Sequence, residues 1–329
     1  MIEENNRYNP DISVIIPCYN CAYWIVKCLT ELENQTYKNF EVICVDDCSK
    51  DDTNKIISDY IIQSSLQITL IKNEHNSGPA LSRNKAASIA RGNWLSFCDS
   101  DDYYDRTFLE EMYNVAEKDG SDLVMCEKRK VYESGRQPED FHFNGIINEN
   151  STVEEIIICS AESLCTLLIK KELFLGNEMP DLRNGEDVAC IPCIQANANK
   201  ISVLKKVLYN YRMRSTSASN TPSKNVYKSM CSAFEHVENG FGGRYPDALE
   251  FLGIRTVLYG ATLTAFKADV STKDIKHLVR EFSKRYPNWK KNKYLSTLSK
   301  SKLLYLTFIK IKMYFMCRVM AYIHTKIIT

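Results

Sequence analysis

The chain carries no glycine fingerprint behind its first apolar run. Where a dinucleotide-binding fold would show Gly-x-Gly-x-x-Gly, it reads Pro17-Cys18-Tyr19-Asn20. A Gly-x-x-x-x-Gly-Lys loop is also missing, which sets P-loop phosphate chemistry aside. Residues Met1 to Asp11 are polar and hold no signal-peptide apolar core. No stretch reaches the roughly 20 uninterrupted apolar residues of a membrane-spanning helix. Lys310, Lys312 and Arg318 break the most apolar segment. The thirteen cysteines are odd in number and are expected as free thiols in a reducing cytosol. Two Cys-x-x-Cys pairs occur, Cys18/Cys21 and Cys190/Cys193, without flanking knuckle glycines. They are expected to be small core residues, and no zinc is expected.

What is present is an ordinary soluble composition with an uneven spread of charge. Of 329 residues, 44% are hydrophobic and 25% charged, for a net charge of +1. Residues 271–329 hold 14 Lys and Arg against 2 Asp and Glu, while residues 1–270 hold 28 against 39. An acidic body with a basic tail predicts an anionic surface as the partner of the tail. The length suits one large domain and an appendage, placed at 1–215 and 216–329.

Apolar runs alternate with helical periodicity over the first hundred residues. Ile12 to Pro17, Phe40 to Val45, Gln67 to Ile71 and Trp94 to Cys98 read as strands. Ala22 to Glu33, the segment around Ile56 to Tyr60, and Leu81 to Ala90 read as helices. This order predicts βαβ units and a mainly parallel α/β sheet. Right-handed crossovers then place every strand's carboxyl end on one edge. Two of those ends are acidic: Asp46-Asp47, and Asp99-Ser100-Asp101-Asp102. Open α/β sheets bind ligands beyond that edge. Carboxylates crowded there raise each other's pKa unless a cation sits among them, so a hard divalent ion with oxygen ligands is expected. Asn76-Ser77-Gly78-Pro79 reads as a turn whose glycine serves either positive φ or close approach to a ligand.

Past Asp102, a helix is expected from Thr107 to Lys118, a fifth strand from Asp122 to Cys126, and a hairpin or long loop over 128–150. Periodicity leaves Glu162 to Phe174 open between helix and strand. Glu186-Asp187 follows Gly185 at a helix start, where acids complement the helix dipole. Arg212 and Arg214 follow the apolar run Ile201 to Leu208 and suit an anionic ligand. From Tyr227 onwards the pattern is helical. Residues 301–328 read as one basic amphipathic helix, expected to lie in an anionic leaflet. The alternative is docking on the protein itself or on another subunit of a homo-oligomer.

Taken in order, several short stretches resemble the family 2 glycosyltransferases. They are Ser13 to Asn20, Gln35-Thr36-Tyr37, Glu41 to Ser49, Asn76-Ser77-Gly78, Ser82-Arg83-Asn84, Phe97 to Asp102 and Gly185-Glu186-Asp187, spread over roughly residues 11–215. The resemblance implies a GT-A fold, Rossmann-like, with a helical C-terminal extension. It implies a donor pocket in which Asp47, Tyr19 and the Pro17 backbone hold the nucleotide base, typically uracil. Asp99 resembles the residue near the donor ribose and metal, and Asp101 the direct ligand of a Mn²⁺ or Mg²⁺ on the diphosphate. Arg83 resembles an arginine near the donor, and Arg212 or Arg214 one that reaches the diphosphate from a closing loop. Asp187 resembles the base that deprotonates the acceptor hydroxyl, with Glu186 beside it.

The implied activity is inverting, hexosyltransferase-type transfer from a UDP-sugar to a glycan or lipid-linked acceptor. Bacterial surface polysaccharide synthesis, at the cytoplasmic face of the membrane, is the setting it suggests. No nucleic-acid partner is expected. Two rival readings are a nucleotidyltransferase and a non-catalytic scaffold that binds nucleotide-sugar or membrane. The first should carry a glycine-rich basic loop after the first strand, and Cys18 to Tyr23 is neither glycine-rich nor basic.

Overall fold

The first two strands, β1 (Ile12–Cys18) and β2 (Phe40–Asp46), are buried along almost their whole length. Strands covered on both faces have no reason to alternate, so continuous Val/Ile runs build them. In a computed structural model that describes residues 9–143, 147–148, 150–159, 163–213 and 224–328, they are neighbours near one end of a nine-stranded sheet. Helices α1 (Ile25–Glu33), α2 (Thr53–Gln63) and α3 (Pro79–Ile89) alternate with β2, β3 (Gln67–Lys72) and β4 (Trp94–Phe97). The chain continues through β5 (Tyr103–Tyr104), α4 (Phe108–Asp119), β6 (Leu123–Tyr132) and β7 (Glu139–Phe141). Then come α5 (Val153–Cys159), β8 (Leu167–Lys170), α6 (Lys171–Leu175), α7 (Glu186–Asn197) and β9 (Ile201–Met213).

The sheet order is β3-β2-β1-β4-β8-β6-β9-β5, with β7 paired to β6. β3, β2, β1 and β4 are mutually parallel, as the βαβ pattern predicts. Beyond β4 the sheet is mixed: β8 runs antiparallel to both β4 and β6, and β6 pairs β9 in parallel. Hydrophobic periodicity reports burial and is blind to strand direction, so this half was not legible as antiparallel. The open segment Glu162 to Phe174 contains a 3-10 turn at Leu164–Thr166, then β8, then the start of α6. Residues 128–150 do contain a hairpin, since β6 runs five residues past a buried start and pairs with β7.

The chain forms two units. The first comprises residues 1–151, 161–181 and 197–215 and holds the sheet; the second comprises 152–160, 182–196 and 216–329. The second unit therefore takes α5 and most of α7 in addition to the C-terminal third. It adds α8 (Lys224–Gly240), α9 (Pro246–Gly253), a π-helical stretch Ile254–Ala261, α10 (Thr262–Lys267) and α11 (Thr272–Arg285). Phe234, Phe251, Leu258, Phe266 and Phe282 are buried in its core.

Residues 301–328, expected as one helix, are two: α12 (Lys300–Lys310) and α13 (Tyr314–Ile328). Lys312 takes a left-handed φ of 61°. Its N–H donates to the Ile309 carbonyl at 3.1 Å, and the Met313 N–H to the Phe308 carbonyl at 2.8 Å. That double bond pattern is a Schellman cap. Glycine usually fills its left-handed position, and with lysine there the boundary leaves no mark in the sequence. Among the described residues, no helix is long and apolar enough to cross a membrane.

Candidate active site

The turns that leave β1 and β2 are stitched to each other. The Asp47 N–H donates to the Cys18 carbonyl at 2.8 Å, and the Cys21 N–H to Thr53 Oγ1 at 2.8 Å. Asn20, with φ 49°, receives the Lys50 N–H on its side-chain oxygen at 2.8 Å and donates its own N–H to Ser49 Oγ at 3.0 Å. Asparagine tolerates the left-handed conformation, which is why a non-glycine can turn the chain here. Tyr19 is 48% exposed, and Pro17 is partly buried.

Asp47 is buried, and its two oxygens are engaged inside the protein. Oδ1 accepts from the Ser77 N–H and the Asn73 Nδ2, both at 2.8 Å, and Oδ2 accepts from the Gly78 N–H at 2.7 Å. Gly78 has φ 88°, so this glycine serves the turn itself. Asp47 thus ties the turn after β2 to the turn that leads into α3.

The second acidic edge follows β4. Asp99 Oδ1 accepts from Arg83 at 2.6 Å, and Arg83 is buried on the inner face of α3. Its neighbour Ser82 accepts from Asn73 Nδ2 at 3.1 Å, which links the Asp47 turn to the Asp99 turn through one helix. Asp102 is buried; Tyr209 Oη donates to its Oδ2 at 2.6 Å and the Arg212 N–H to its Oδ1 at 2.7 Å. Burial pushes the Asp102 carboxyl well above the usual range, and the charges of Asp99 and Asp101 add to the effect. Arg212 Nε donates to the Asp101 carbonyl at 2.9 Å, and its guanidinium lies 4.4 Å from the Trp24 ring and 5.6 Å from the Tyr103 ring. Arg212 therefore belongs to strand β9 and is docked against the acidic turn; it is not on a loop. Arg214 lies outside the described residues.

Sequence reasoning missed Tyr209, Trp24 and Tyr103 as parts of this site. Tyr209 lies in the run that carries Arg212, and nothing local marks its hydroxyl as the partner of Asp102. Trp24 stands just before α1 and is only partly buried, which leaves its ring to meet Arg212. Glu186 and Asp187 head α7 in the second unit, behind Gly185 with φ 85°. Cys190 and Cys193 are buried within α7, and all thirteen cysteines are free thiols.

Among the described residues, no three His, Cys, Asp or Glu side chains are grouped so as to hold a metal by themselves. Mg²⁺-like ions are usually bound by one or two carboxylates, with substrate phosphates and water completing the shell. Asp101 and the Asp99 oxygen turned away from Arg83 fit that donor set. Asp102, tied to Tyr209 and the Arg212 N–H, does not.

The parallel half of the sheet thus ends in two acidic turns joined through α3 at one carboxyl edge, the place where open α/β sheets bind ligands. A profile described as "Glycosyl transferase family 2" matches residues 13–173. Glycosyltransferase GlyG of Streptococcus pneumoniae serotype 4 is 30% identical over 225 residues, which span 64% of this chain and 73% of that protein. The poly(ribitol-phosphate) beta-N-acetylglucosaminyltransferase TarS of Staphylococcus aureus is 29% identical over 208 residues, spanning 60% of this chain but only 35% of TarS. The crystal structure of TarS residues 1–349 in complex with UDP-GlcNAc superposes with a TM-score of 0.72 at 24% identity, covering 96% of this chain and 92% of that one, a likeness of fold. The chain belongs to glycosyltransferase family 2. Its fold is GT-A, and its activity is that of a glycosyltransferase.

Proposed function

We propose that this protein is a divalent-metal-dependent, inverting hexosyltransferase that takes a UDP-sugar as donor and a hydroxyl of a glycan or lipid-linked chain as acceptor. The observation that carries the reading is the turn Asp99 to Asp102, held by Arg83, Tyr209 and Arg212 at the carboxyl edge of the sheet. The choice of UDP draws on the UDP-GlcNAc complex of TarS, and a surface-polymer setting draws on the poly(ribitol-phosphate) substrate in that relative's name.

Within this reading, Tyr19, the Pro17 backbone and the turn held by Asp47 hold the base. Asp101, supported by Asp99, would hold Mn²⁺ or Mg²⁺. When bound, the ion neutralises charge that grows on the diphosphate as the glycosidic bond breaks. Arg83 fixes Asp99, and Arg212 adds positive charge on the donor side. Asp187, with Glu186 beside it at the head of α7, accepts the proton of the acceptor hydroxyl as that oxygen attacks the anomeric carbon. The carbon–oxygen bond to the diphosphate breaks, a nucleoside diphosphate leaves, and one displacement without a protein nucleophile inverts the centre. Retaining glycoside hydrolases, by contrast, use a second carboxylate as nucleophile for a double displacement.

The basic C-terminal segment places the enzyme at the anionic cytoplasmic leaflet, where a lipid-linked acceptor is concentrated. The primary test is a panel of nucleotide-sugars scored for Mn²⁺-dependent release of nucleoside diphosphate. Asp187→Asn is expected to slow transfer about a thousandfold while donor affinity is retained. Full activity in that variant would remove Asp187 from the base role, and absence of turnover with every donor would favour a binding scaffold.

A further inference from the structure

The second unit contains a cavity of about 950 Å³ between α11, the Trp289-Lys290 segment and the turn joining α12 to α13. Its lining includes Lys273, Lys276, Arg280, Lys290, Lys310 and Lys312, with His277 beside them and one carboxylate, Asp274. Asp274 is occupied at the start of α11, where Ser271 Oγ donates to its carboxylate at 2.7 Å. Arg280 is countered by Glu281 at 3.5 Å. None of the five lysines has a carboxylate within ion-pair distance among the described residues. Lys276 instead lies 5.6 Å from the Tyr314 ring and Lys290 5.9 Å from the Trp289 ring. Like charges collected around one cavity repel one another until an anion enters, so the cavity is complementary to phosphate.

The turn that brings Lys310 and Lys312 to the lining also carries uncovered apolar side chains. Ile311 is 53% exposed, Met313 45% and Phe315 74%. A soluble polyanion would satisfy the lysines and leave these three in water. A bilayer satisfies both, with headgroup phosphate among the lysines and apolar side chains at the acyl boundary.

We propose that this cavity binds the phosphate headgroup of an anionic phospholipid, with Ile311, Met313 and Phe315 inserted beside it. The proposal rests on the membrane placement above and narrows it from a whole helix to one turn and one cavity.

The test is sedimentation of the full chain with vesicles of phosphatidylcholine alone and of phosphatidylcholine mixed with phosphatidylglycerol. Retention is expected only on the phosphatidylglycerol vesicles. The combined variant Lys276→Gln, Lys310→Gln, Lys312→Gln is expected to lower partitioning about a hundredfold, each basic residue near an anionic surface being worth about fivefold. The combined variant Ile311→Ser, Met313→Ser, Phe315→Ser, all exposed positions, should also lose retention with an unchanged circular dichroism spectrum. A charge-matched control, Lys291→Gln, Lys300→Gln, Lys302→Gln, lies off the cavity lining and should lose much less. Equal loss in control and cavity variants, or no loss in the cavity variant, overturns the cavity and leaves membrane association standing. No retention on either vesicle overturns both, whereas sugar transfer is scored separately by nucleoside diphosphate release. Binding of inorganic polyphosphate without vesicle retention would assign the cavity to a soluble polymer and overturn the lipid proposal.

Discussion

Asp102 shows how neighbouring carboxylates in one turn come to differ in role. It is buried and takes its two hydrogen bonds from β9, so it locks the turn to that strand. Asp99 is held by Arg83, and Asp101 is fixed through its carbonyl by Arg212. Tyr209→Phe deletes the hydroxyl that bonds Asp102 and keeps the ring. Leaving that buried acceptor one donor short should cost about 1–3 kcal/mol, measured as a shift in denaturant midpoint. Donor affinity should fall with it, because the turn loses its anchor. The acidic residues themselves were legible at this scale, since three carboxylates in four residues after an apolar run are plain in one dimension. Tyr209 was not, being 107 residues from its partner.

At the scale of elements, Glu33 at the end of α1 is the tie to the end of α2. Its carboxylate accepts from Ser64 Oγ at 2.6 Å, the Ser65 N–H at 3.0 Å and Tyr60 Oη at 2.8 Å. The Ser64 bond holds its pKa below the ordinary glutamate value, against a smaller opposing effect of burial. A lowered folded-state pKa means stability that is full above the unfolded value and is lost as pH falls through the folded one. Stability should therefore decline as pH drops below the ordinary glutamate range, and Glu33→Gln should remove that part of the acid dependence. Chemical denaturation of both proteins across acidic pH measures it; identical pH profiles would contradict the assignment.

The alternation of strands and helices through β4 was readable because β1, β2 and β4 are buried on both faces and so are largely apolar runs, while the edge strand β3 alternates polar and apolar residues. Past β4, strand direction carries no sequence mark. The α12–α13 break was hidden in the same way, by a lysine in a conformation usually left to glycine.

At the scale of the whole molecule, the chain joins an acidic sheet unit to a strongly basic C-terminal third. A donor that binds only the folded protein stabilises it by mass action, about 2.7 kcal/mol at a hundred times the dissociation constant. UDP with Mn²⁺ should accordingly raise the thermal midpoint more than UDP alone. Asp101→Asn should lose the additional increment from Mn²⁺ while keeping part of the response to UDP. An undiminished Mn²⁺ increment in that variant, read by calorimetry, would take the metal away from Asp101. Raising ionic strength should leave this stabilisation largely in place and weaken vesicle retention, since exposed charges are screened more than buried ones.

The sequence by itself determined the family, the parallel half of the sheet and the position of both acidic edges. Each of these is written in local patterns: apolar runs, turn residues and carboxylates in short order. Tertiary structure alone decided what each acid does. Asp47 is held by Asn73, Ser77 and Gly78, Asp99 by Arg83, and Asp102 by Tyr209 and Arg212. A carboxylate's role depends on which donors reach its oxygens, and those donors come from distant parts of the chain that meet only when the sheet has formed.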